Sequence, residues 1–411
     1  MPKKTIADLP DLTGKRVLVR VDFNVPMDET GNITNDRRIV GALPTLRTLL
    51  DRGASLILIT HVGQPDGDPA AVDFRTKNAR LTTTRIAARL GERLGVPVRK
   101  LDDVVGLQVQ HAAEALKPGD VLLLENLRFH PGEKAKDKDF AQQLANLADV
   151  YVNDAFGTCH RSDASMVAVP AAFGAAAKPR VVGLLVAKEL QILDGLLGAP
   201  KRPMVGLLGG AKVSDKVGFI TSLLSRVDKV LIGGAMTYLF LKAQGKNIGN
   251  SFCETKAKEG QKTPVQMAQE ILERGKDKII LPVDHLAVTD IRAFDSARVV
   301  DGEIPDGLAG VDIGPKTQAL YRVEIAQAAT VVWNGPMGKF EDEPYSSGTR
   351  NIANALAQAK AVTVVGGGET AEAVEAFGLA DQMTHVSTGG GAFLEYVEGT
   401  PFKALAEIDD Q

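Results

Sequence analysis

The stretch RVLVRVDFNVP, residues 16–26, decides how this chain is read. Val17, Leu18, Val19 and Val21 form a nearly unbroken apolar run, and Asp22 and Asn24 follow directly after it. A continuous Val/Leu run suits a strand covered on both faces, which is the situation in a parallel sheet flanked by helices. The pattern recurs as SLILIT (55–60), VLLL (121–124) and VYVN (150–153). After residue 200 it returns as MVGLL (204–208), KVLI (229–232), KIIL (278–281), TVVW (330–333), VTVV (362–365) and HVST (385–388). Amphipathic stretches lie between these runs. In TRIAARLGERLG (84–95), Ile86, Leu90 and Leu94 repeat at spacing four along one helix face. Four runs before residue 160 and six after residue 200 are too many for one comfortable sheet. The expected fold is α/β, with two domains, each a parallel sheet flanked by helices.

Composition agrees. A chain of 411 residues with 44% hydrophobic and 24% charged residues is globular and long enough for two large domains. A net charge of −3 gives no case for a nucleic-acid or anionic-membrane partner. Cys159 and Cys253 form no disulfide framework, as expected in a reducing compartment. The N-terminal MPKKTIADLP lacks the apolar core of a signal peptide, and VVGLLVA (181–187) is too short to span a membrane. The expectation is a soluble, cytoplasmic protein.

The divider falls at 181–200, where apolar residues at 182, 185, 186, 190, 193 and 197 follow a helical period before GAPKRP stops it. The predicted organisation is a first domain over 1–180, a joining helix or hinge over 181–200 and a second domain from 201. The charged stretch EKAKDKD (133–139) reads as a solvated turn or helix start.

In open parallel sheets ligands bind beyond the carboxyl ends of the strands. In the first domain those ends supply Asp22 and Asn24, then His61, then Glu125, Asn126 and Arg128, then Asn153, Asp154, His160 and Arg161, with Arg37 and Arg38 on the loop after the first strand. Arginine forks match carboxylate and phosphate oxygens, so this set suits a small oxygen-rich anion. Ion pairs or helix caps would account for any one of these arginines. The coincidence at four strand ends favours the anion site. In the second domain the strand ends are glycine-rich instead: Gly209–Gly210, Gly233–Gly234, Gly366–Gly368 and Gly389–Gly391, each before a helix-like segment. Exposed amides at such helix starts make a phosphate cradle, whereas one Gly pair alone would mean only tight packing. Lys212 and Lys216 follow the first pair at spacing four, as if on one helix face. An anion domain and a nucleotide domain together suit phosphoryl transfer.

Other motifs carry less. GGGETA (366–371) has the form of a dinucleotide fingerprint, but Ser387 and Thr388 stand where a nicotinamide site wants an acidic residue. No Walker motif is present, and no Cys/His cluster suggests a permanent metal. Cys159 beside His160 reads as a small packed cysteine, not a thiol–base pair.

VRVDFNVP (19–26), ENLRFHPGE (125–133), DAFGTCHRSDAS (154–165), GLLGGAKVSDK (206–216), WNGPMGKFE (333–341), GGGET (366–370) and STGGGAFLE (387–395) resemble phosphoglycerate kinases, in order and across nearly the whole chain. The resemblance implies two Rossmann-like domains around a cleft, with a nucleotide domain over 201–395 and a C-terminal segment, 396–411, returning to the first domain. It implies Mg²⁺-dependent transfer between ATP/ADP and 3-phosphoglycerate/1,3-bisphosphoglycerate, by hinge closure, in a protein that is usually monomeric. Asp22, Asn24, Arg38, His61, Gln64, Arg128 and Arg161 would hold phosphoglycerate. Lys212, Gly310, Asn334, Glu341, Gly367, Gly368, Glu369 and Thr370 would hold the nucleotide, with Glu369 helping to place Mg²⁺. Arg38 and Lys212 would flank the group in flight, with Lys216 and the amides of Gly389, Gly390 and Gly391 beside them. Two positions depart from the family. HVGQP puts Gln64 where an arginine is usual, a gap that Arg37 or Arg75 could fill, and Glu369 replaces an aspartate. These departures motivate an alternative, a catalytically weakened member that serves as a binding or regulatory protein.

Overall fold

The computed structural model describes residues 2–257 and 262–411. β1 (Arg16–Val21), β2 (Ser55–Ile59), β3 (Val98–Lys100), β4 (Val121–Leu123), β5 (Val150–Asp154) and β6 (Arg180–Val182) form one six-stranded sheet in the order β3-β4-β2-β1-β5-β6, parallel throughout. A second parallel sheet begins with β7 (Met204–Leu208), β8 (Lys229–Ile232) and β9 (Ile279–Ile280). A three-stranded antiparallel insertion follows, of β10 (Asp284–Val288), β11 (Arg298–Asp301) and β12 (Ala309–Ile313). β13 (Thr330–Asn334), β14 (Val362–Gly366) and β15 (His385–Val386) then complete the second sheet, in the order β15-β14-β13-β7-β8-β9. Among the described residues no helix is long and apolar enough to cross a membrane.

All ten expected runs are strands. Five further strands had no clear signal, for physical reasons. β3 is an edge strand of three partly exposed residues, and β11 is largely exposed, so neither shows a buried run. β6 occupies the start of the segment read as the joining helix. Val181 and Val182 pair in parallel with Val152 and Asn153, so the helix starts later and spans Leu184–Gly198. Its first amides are held by first-unit side chains: Leu184 N donates to Thr45 Oγ1 at 2.9 Å, and Leu185 N to Asp154 Oδ1 at 3.0 Å.

The chain forms two compact units, Met1–Gln191 with Pro401–Gln411, and Ile192–Thr400. The first division thus lies inside the Leu184–Gly198 helix. The return to the first unit comes at Pro401, later than 396, because Gly390–Glu398 is one continuous helix closed by Gly399 at φ 86°. In the first unit, β1 and β2 carry Val17, Val19, Leu56 and Leu58 into a core shared with Ile86 and Leu90 of the helix Thr84–Leu94. Complete burial of each such side chain is worth roughly 1.5–3 kcal/mol. Gly95, left-handed at φ 80°, ends that helix. In the second unit, Leu207, Leu231, Trp333 and Val365 from four adjacent strands pack with Ile325 and Ile352.

Strand order fixes where ligands can enter. The chain leaves β1 toward β2 on one side and later adds β5 on the other; it leaves β7 toward β8 and later adds β13 opposite. The carboxyl ends of β1 and β7 are therefore the switch points of their sheets.

Candidate active site

The first switch point is polar. Asp22 and Asn24 leave the end of β1, and the Asn24 side-chain oxygen accepts the Gly63 N–H at 2.8 Å, which ties this loop to the one after β2. Asp22 Oδ2 lies 2.9 Å from Arg38 Nη1. Arg37 and Arg38 were expected on a loop but begin the helix Arg37–Asp51, where Arg37 N donates to Asn35 Oδ1, Ile39 N and Val40 N donate to Asp36 O, and the Asp36 carboxylate is gripped by Arg89 and Arg93. Arg38 thus rises from a fixed helical turn.

His61, at the end of β2, is buried and its Nε2 has no hydrogen-bond partner. Burial pushes its pKa well below the usual imidazole value, and the positive fields of Arg20, Arg128, Arg161 and Arg38 push it further the same way. Those four guanidiniums come from separate parts of the first unit, so their joint effect on one ring marks a cationic cluster. Arg128 sits on the turn Leu127–Phe129 after β4, oriented by Asn126, whose side-chain oxygen accepts the Arg128 N–H at 3.1 Å. Its Nη1 donates to Gly63 O at 2.5 Å, while Nε and Nη2 are buried without partners. Burial and the nearby Arg161 lower the Arg128 pKa. Buried donors left unmatched beside like charges are costly in an isolated protein and become favourable when an anion binds.

Gln64 is exposed in the same loop as Gly63 and makes no hydrogen bond with another described residue. Arg75 does not stand in for it. Its guanidinium donates to Asp103 Oδ1 at 2.6 Å and Asp102 O at 2.5 Å. Cys159 is packed as expected, and burial pushes its thiol up to about 12.

The second switch point is built of backbone. Gly209 N donates to Asn334 O at 2.9 Å and Gly210 N to Pro336 O at 3.0 Å, so the loops after β7 and β13 lie against each other. A Cβ on Gly209 would meet Pro336 O at 2.0 Å, and no side chain fits there. Thr370 Oγ1 accepts the Gly335 N–H at 2.6 Å, and Asn334 Nδ2 donates to Gly366 O at 2.9 Å, which adds the loop after β14. Asn334 Oδ1 remains buried without a partner. The helices Gly368–Ala376 and Gly390–Glu398 start side by side, since a Cβ on Gly390 would come 3.7 Å from Gly368 N. A Cβ on Gly368 would meet nothing within 4 Å, so there is open space beside this helix start, while the Gly389 N–H donates to Ser387 Oγ at 3.1 Å. Paired helix N-termini attract phosphate through their dipoles and first-turn amides.

Lys216 Nζ donates to Gly209 O at 3.0 Å. Burial lowers its pKa to about 8, and the carboxylates of Glu369 and Asp215 oppose that shift. Lys212 does not share a helix face with it. The chain bends through 211–213 and makes the turn Ser214–Lys216 before the helix Val217–Leu224, so Lys212 stands exposed on the loop. Gly310 lies in β12, where its N–H donates to Ser251 Oγ at 2.9 Å and a Cβ would strike the Tyr238 hydroxyl at 2.1 Å. Glu341 is exposed on a loop pinned by Lys339 N to Val311 O at 2.8 Å and by Gly348 N to Asp312 Oδ2 at 2.6 Å. Burial raises the Asp312 carboxyl to about 7.

Glu369 is exposed in the first helical turn, and no group of three or more acidic, His or Cys residues able to hold a metal occurs among the described residues. A single free carboxylate fits Mg²⁺, which is commonly bound through one or two carboxylates together with substrate phosphates.

Sequence reasoning missed Arg20, Glu133, Ser165 and Asp312. Arg20 had a signal, a cation inside an otherwise apolar strand. Glu133 had none, because the charged stretch around it implied solvent, yet its side chain is wholly buried.

Residues 6–400 match the family model described as phosphoglycerate kinase. Phosphoglycerate kinases of Rhodopirellula baltica and Anaeromyxobacter dehalogenans are 49% and 50% identical over 413 and 414 residues, covering all of this chain and all of each relative. The solved phosphoglycerate kinase of Coxiella burnetii is 37% identical, with TM-score 0.83 over 99% of this chain and 98% of that one. That of Pyrococcus horikoshii is 32% identical, with TM-score 0.82 over the same shares. Fold and likeness together define a phosphotransferase of the α/β class with two domains. Within that class, the chain belongs to the phosphoglycerate kinase family.

Proposed function

We propose that the first unit binds 3-phosphoglycerate, the second binds Mg²⁺-ATP, and the γ-phosphoryl group passes directly to the substrate carboxylate without a covalent enzyme intermediate. The observation that carries this reading is the contrast between the two switch points: the unmatched buried donors of Arg128 among further arginines at one, and glycine-rich helix starts with a buried lysine at the other. The first is complementary to a small dianion, the second to a polyphosphate. Asp22, Asn24, His61, Arg128 and Arg161 orient phosphoglycerate. Gly310, Asn334, Glu341, Lys216 and the turn from Gly367 to Thr370 orient the nucleotide. Arg38, Lys212 and the amides of Gly389–Gly391 neutralise charge on the group in flight, where preorganised dipoles and cations act most strongly. Mg²⁺, held near Glu369 with the nucleotide, would add charge neutralisation at the phosphate oxygens. Ligands held on separate units have to approach for transfer, and we assign that movement to the joining helix.

A coupled assay with 3-phosphoglycerate and ATP tests the proposal. Binding of both ligands without turnover would instead favour the weakened, regulatory member that Gln64 and Glu369 suggest.

Gln64→Arg is expected to tighten phosphoglycerate binding. A neutral amide hydrogen bond contributes ~0.5–1.5 kcal/mol and a charge-assisted one ~1.5–3, so the gain is about 1 kcal/mol, or roughly five-fold. KM for phosphoglycerate should fall by that factor and become more salt-dependent, with kcat and KM for ATP little changed. An unchanged or raised KM would show that no phosphate clamp is missing. At the other end, Glu369→Asp is expected to shift the Mg²⁺ and ATP titrations but not that for phosphoglycerate, because Mg²⁺ tolerates little change in ligand reach. Superimposable Mg²⁺ titrations would remove residue 369 from the metal's surroundings.

A further inference from the structure

Arg20, the penultimate residue of β1, has no exposed surface, and a buried guanidinium demands partners for its donors. Nε donates to Ser165 Oγ at 2.9 Å, Nη1 to Val21 O at 2.5 Å, and Nη2 lies 3.2 Å from His61 Nδ1. The Ser165 hydroxyl donates onward to Glu133 Oε1 at 2.6 Å, and the Ser165 N–H donates to Oε2 at 2.9 Å. The Tyr151 hydroxyl donates to Ser165 O at 2.9 Å and fixes the serine from the other side. One buried anion thus balances one buried cation through a serine whose two bonds run in a single direction. Burial pushes the Glu133 carboxyl up, and the charge of Arg20 opposes that shift.

The far end of this chain dictates the state of His61. A guanidinium has five donors and no acceptor, so the ring nitrogen facing Arg20 must present a lone pair. Nδ1 is then unprotonated and the ring proton sits on Nε2, the buried atom that has no partner in the protein. A second ring proton is opposed by burial and by every cation that faces the ring, namely Arg20, Arg128, Arg161 and Arg38. We propose that Glu133, Ser165 and Arg20 form a positioning relay that holds His61 as a neutral imidazole whose Nε2–H is aimed at an oxygen of bound phosphoglycerate. The contact with phosphoglycerate rests on the function proposed above; the tautomer follows from the protein's own hydrogen bonds.

Nitrogen-15 NMR of histidine-labelled full-length protein tests this. The ligand-free enzyme at neutral pH should show His61 with an unprotonated Nδ1 and a protonated Nε2, and 3-phosphoglycerate should move the Nε2 signal. Ser165→Ala and Glu133→Gln should each loosen the hold on Arg20, let its guanidinium turn away from His61 Nδ1, and so give mixed tautomers. They should also raise KM for phosphoglycerate about five-fold, the difference between a charge-assisted and a neutral bond, with KM for ATP unchanged. Ser165→Ala keeps both charges, so it decides the matter if Glu133→Gln fails to fold. An Nδ1–H tautomer or an imidazolium in the parent enzyme overturns the relay. So does a Ser165→Ala protein that loses stability but keeps both its His61 spectrum and its phosphoglycerate KM. If the ligand-free spectra agree but phosphoglycerate leaves the Nε2 signal unmoved, the substrate contact of His61 is overturned and the tautomer assignment stands.

Discussion

Lys212→Ala is expected to lower turnover by ~10²-fold or more, the scale for removing one preorganised electrostatic stabiliser, while KM for phosphoglycerate stays within about two-fold. The two lysines after Gly210 differ in what they already do. Lys216 is buried and bonded to Gly209 O, so its ammonium is part of the glycine floor. Lys212 is exposed and makes no hydrogen bond with another described residue. An exposed cation with no partner among the described residues contributes little to the resting protein. It acts when phosphoryl charge spreads during transfer, and its loss therefore falls on kcat. Steady-state kinetics in both directions measure the effect. Turnover within a few-fold of the parent would remove Lys212 from the transfer step.

Gly335→Ala should damage both stability and nucleotide binding. Gly335 sits at φ 94°, and a Cβ there would lie 2.2 Å from Gly209 O and 2.3 Å from the Gly209 carbonyl carbon. Both atoms are backbone at the end of β7, so no rotamer change relieves the overlap. The unfavourable φ costs of order 1–3 kcal/mol and the overlap adds ~1–3 kcal/mol. A loss near 3 kcal/mol corresponds to a fall in Tm of roughly 6–12 °C for a unit of this size. Because the displaced loop carries Asn334, KM for ATP should rise in whatever fraction still folds. Gly368→Ala is the control, since nothing lies within 4 Å of its Cβ position, and it should leave Tm unchanged. If Gly335→Ala melts with the parent, the close approach of the two loops is not rigid.

What could be read without coordinates was whatever depends on local periodicity. Both parallel sheets were legible because their central strands are buried on two faces and spell continuous Val/Leu/Ile runs. The polar and glycine residues at strand ends were legible because a parallel sheet sends all its carboxyl ends to one side. Burial of a charged side chain was not legible, because it is decided by distant partners. Glu133 sits in a stretch that looks solvated and is buried because Ser165, 32 residues away, bonds it and links it to Arg20 of β1. Lys212 was assigned to a helix face by spacing alone, and the bend at 211–213 that follows from Gly209–Gly210 removed it. The antiparallel insertion escaped because β11 is exposed and β12 carries an extra residue, Val311, opposite Leu286 and Ala287 of β10, so neither shows a clean period.

The discontinuous make-up of the first unit has a consequence for synthesis. Asp409 accepts from Arg180 Nε at 2.9 Å and Nη2 at 2.6 Å, Lys3 pairs with Asp410 at 2.7 Å, and the Phe402 ring lies against that of Phe156. Each of these contacts joins the residues after Pro401 to elements made more than 200 residues earlier. The second unit, by contrast, runs without interruption from Ile192 to Thr400. Chains are made N-terminus first, so every residue of the later unit is joined before the last eleven of the earlier one. The half of the protein that is begun first is the half that can be finished only at the end.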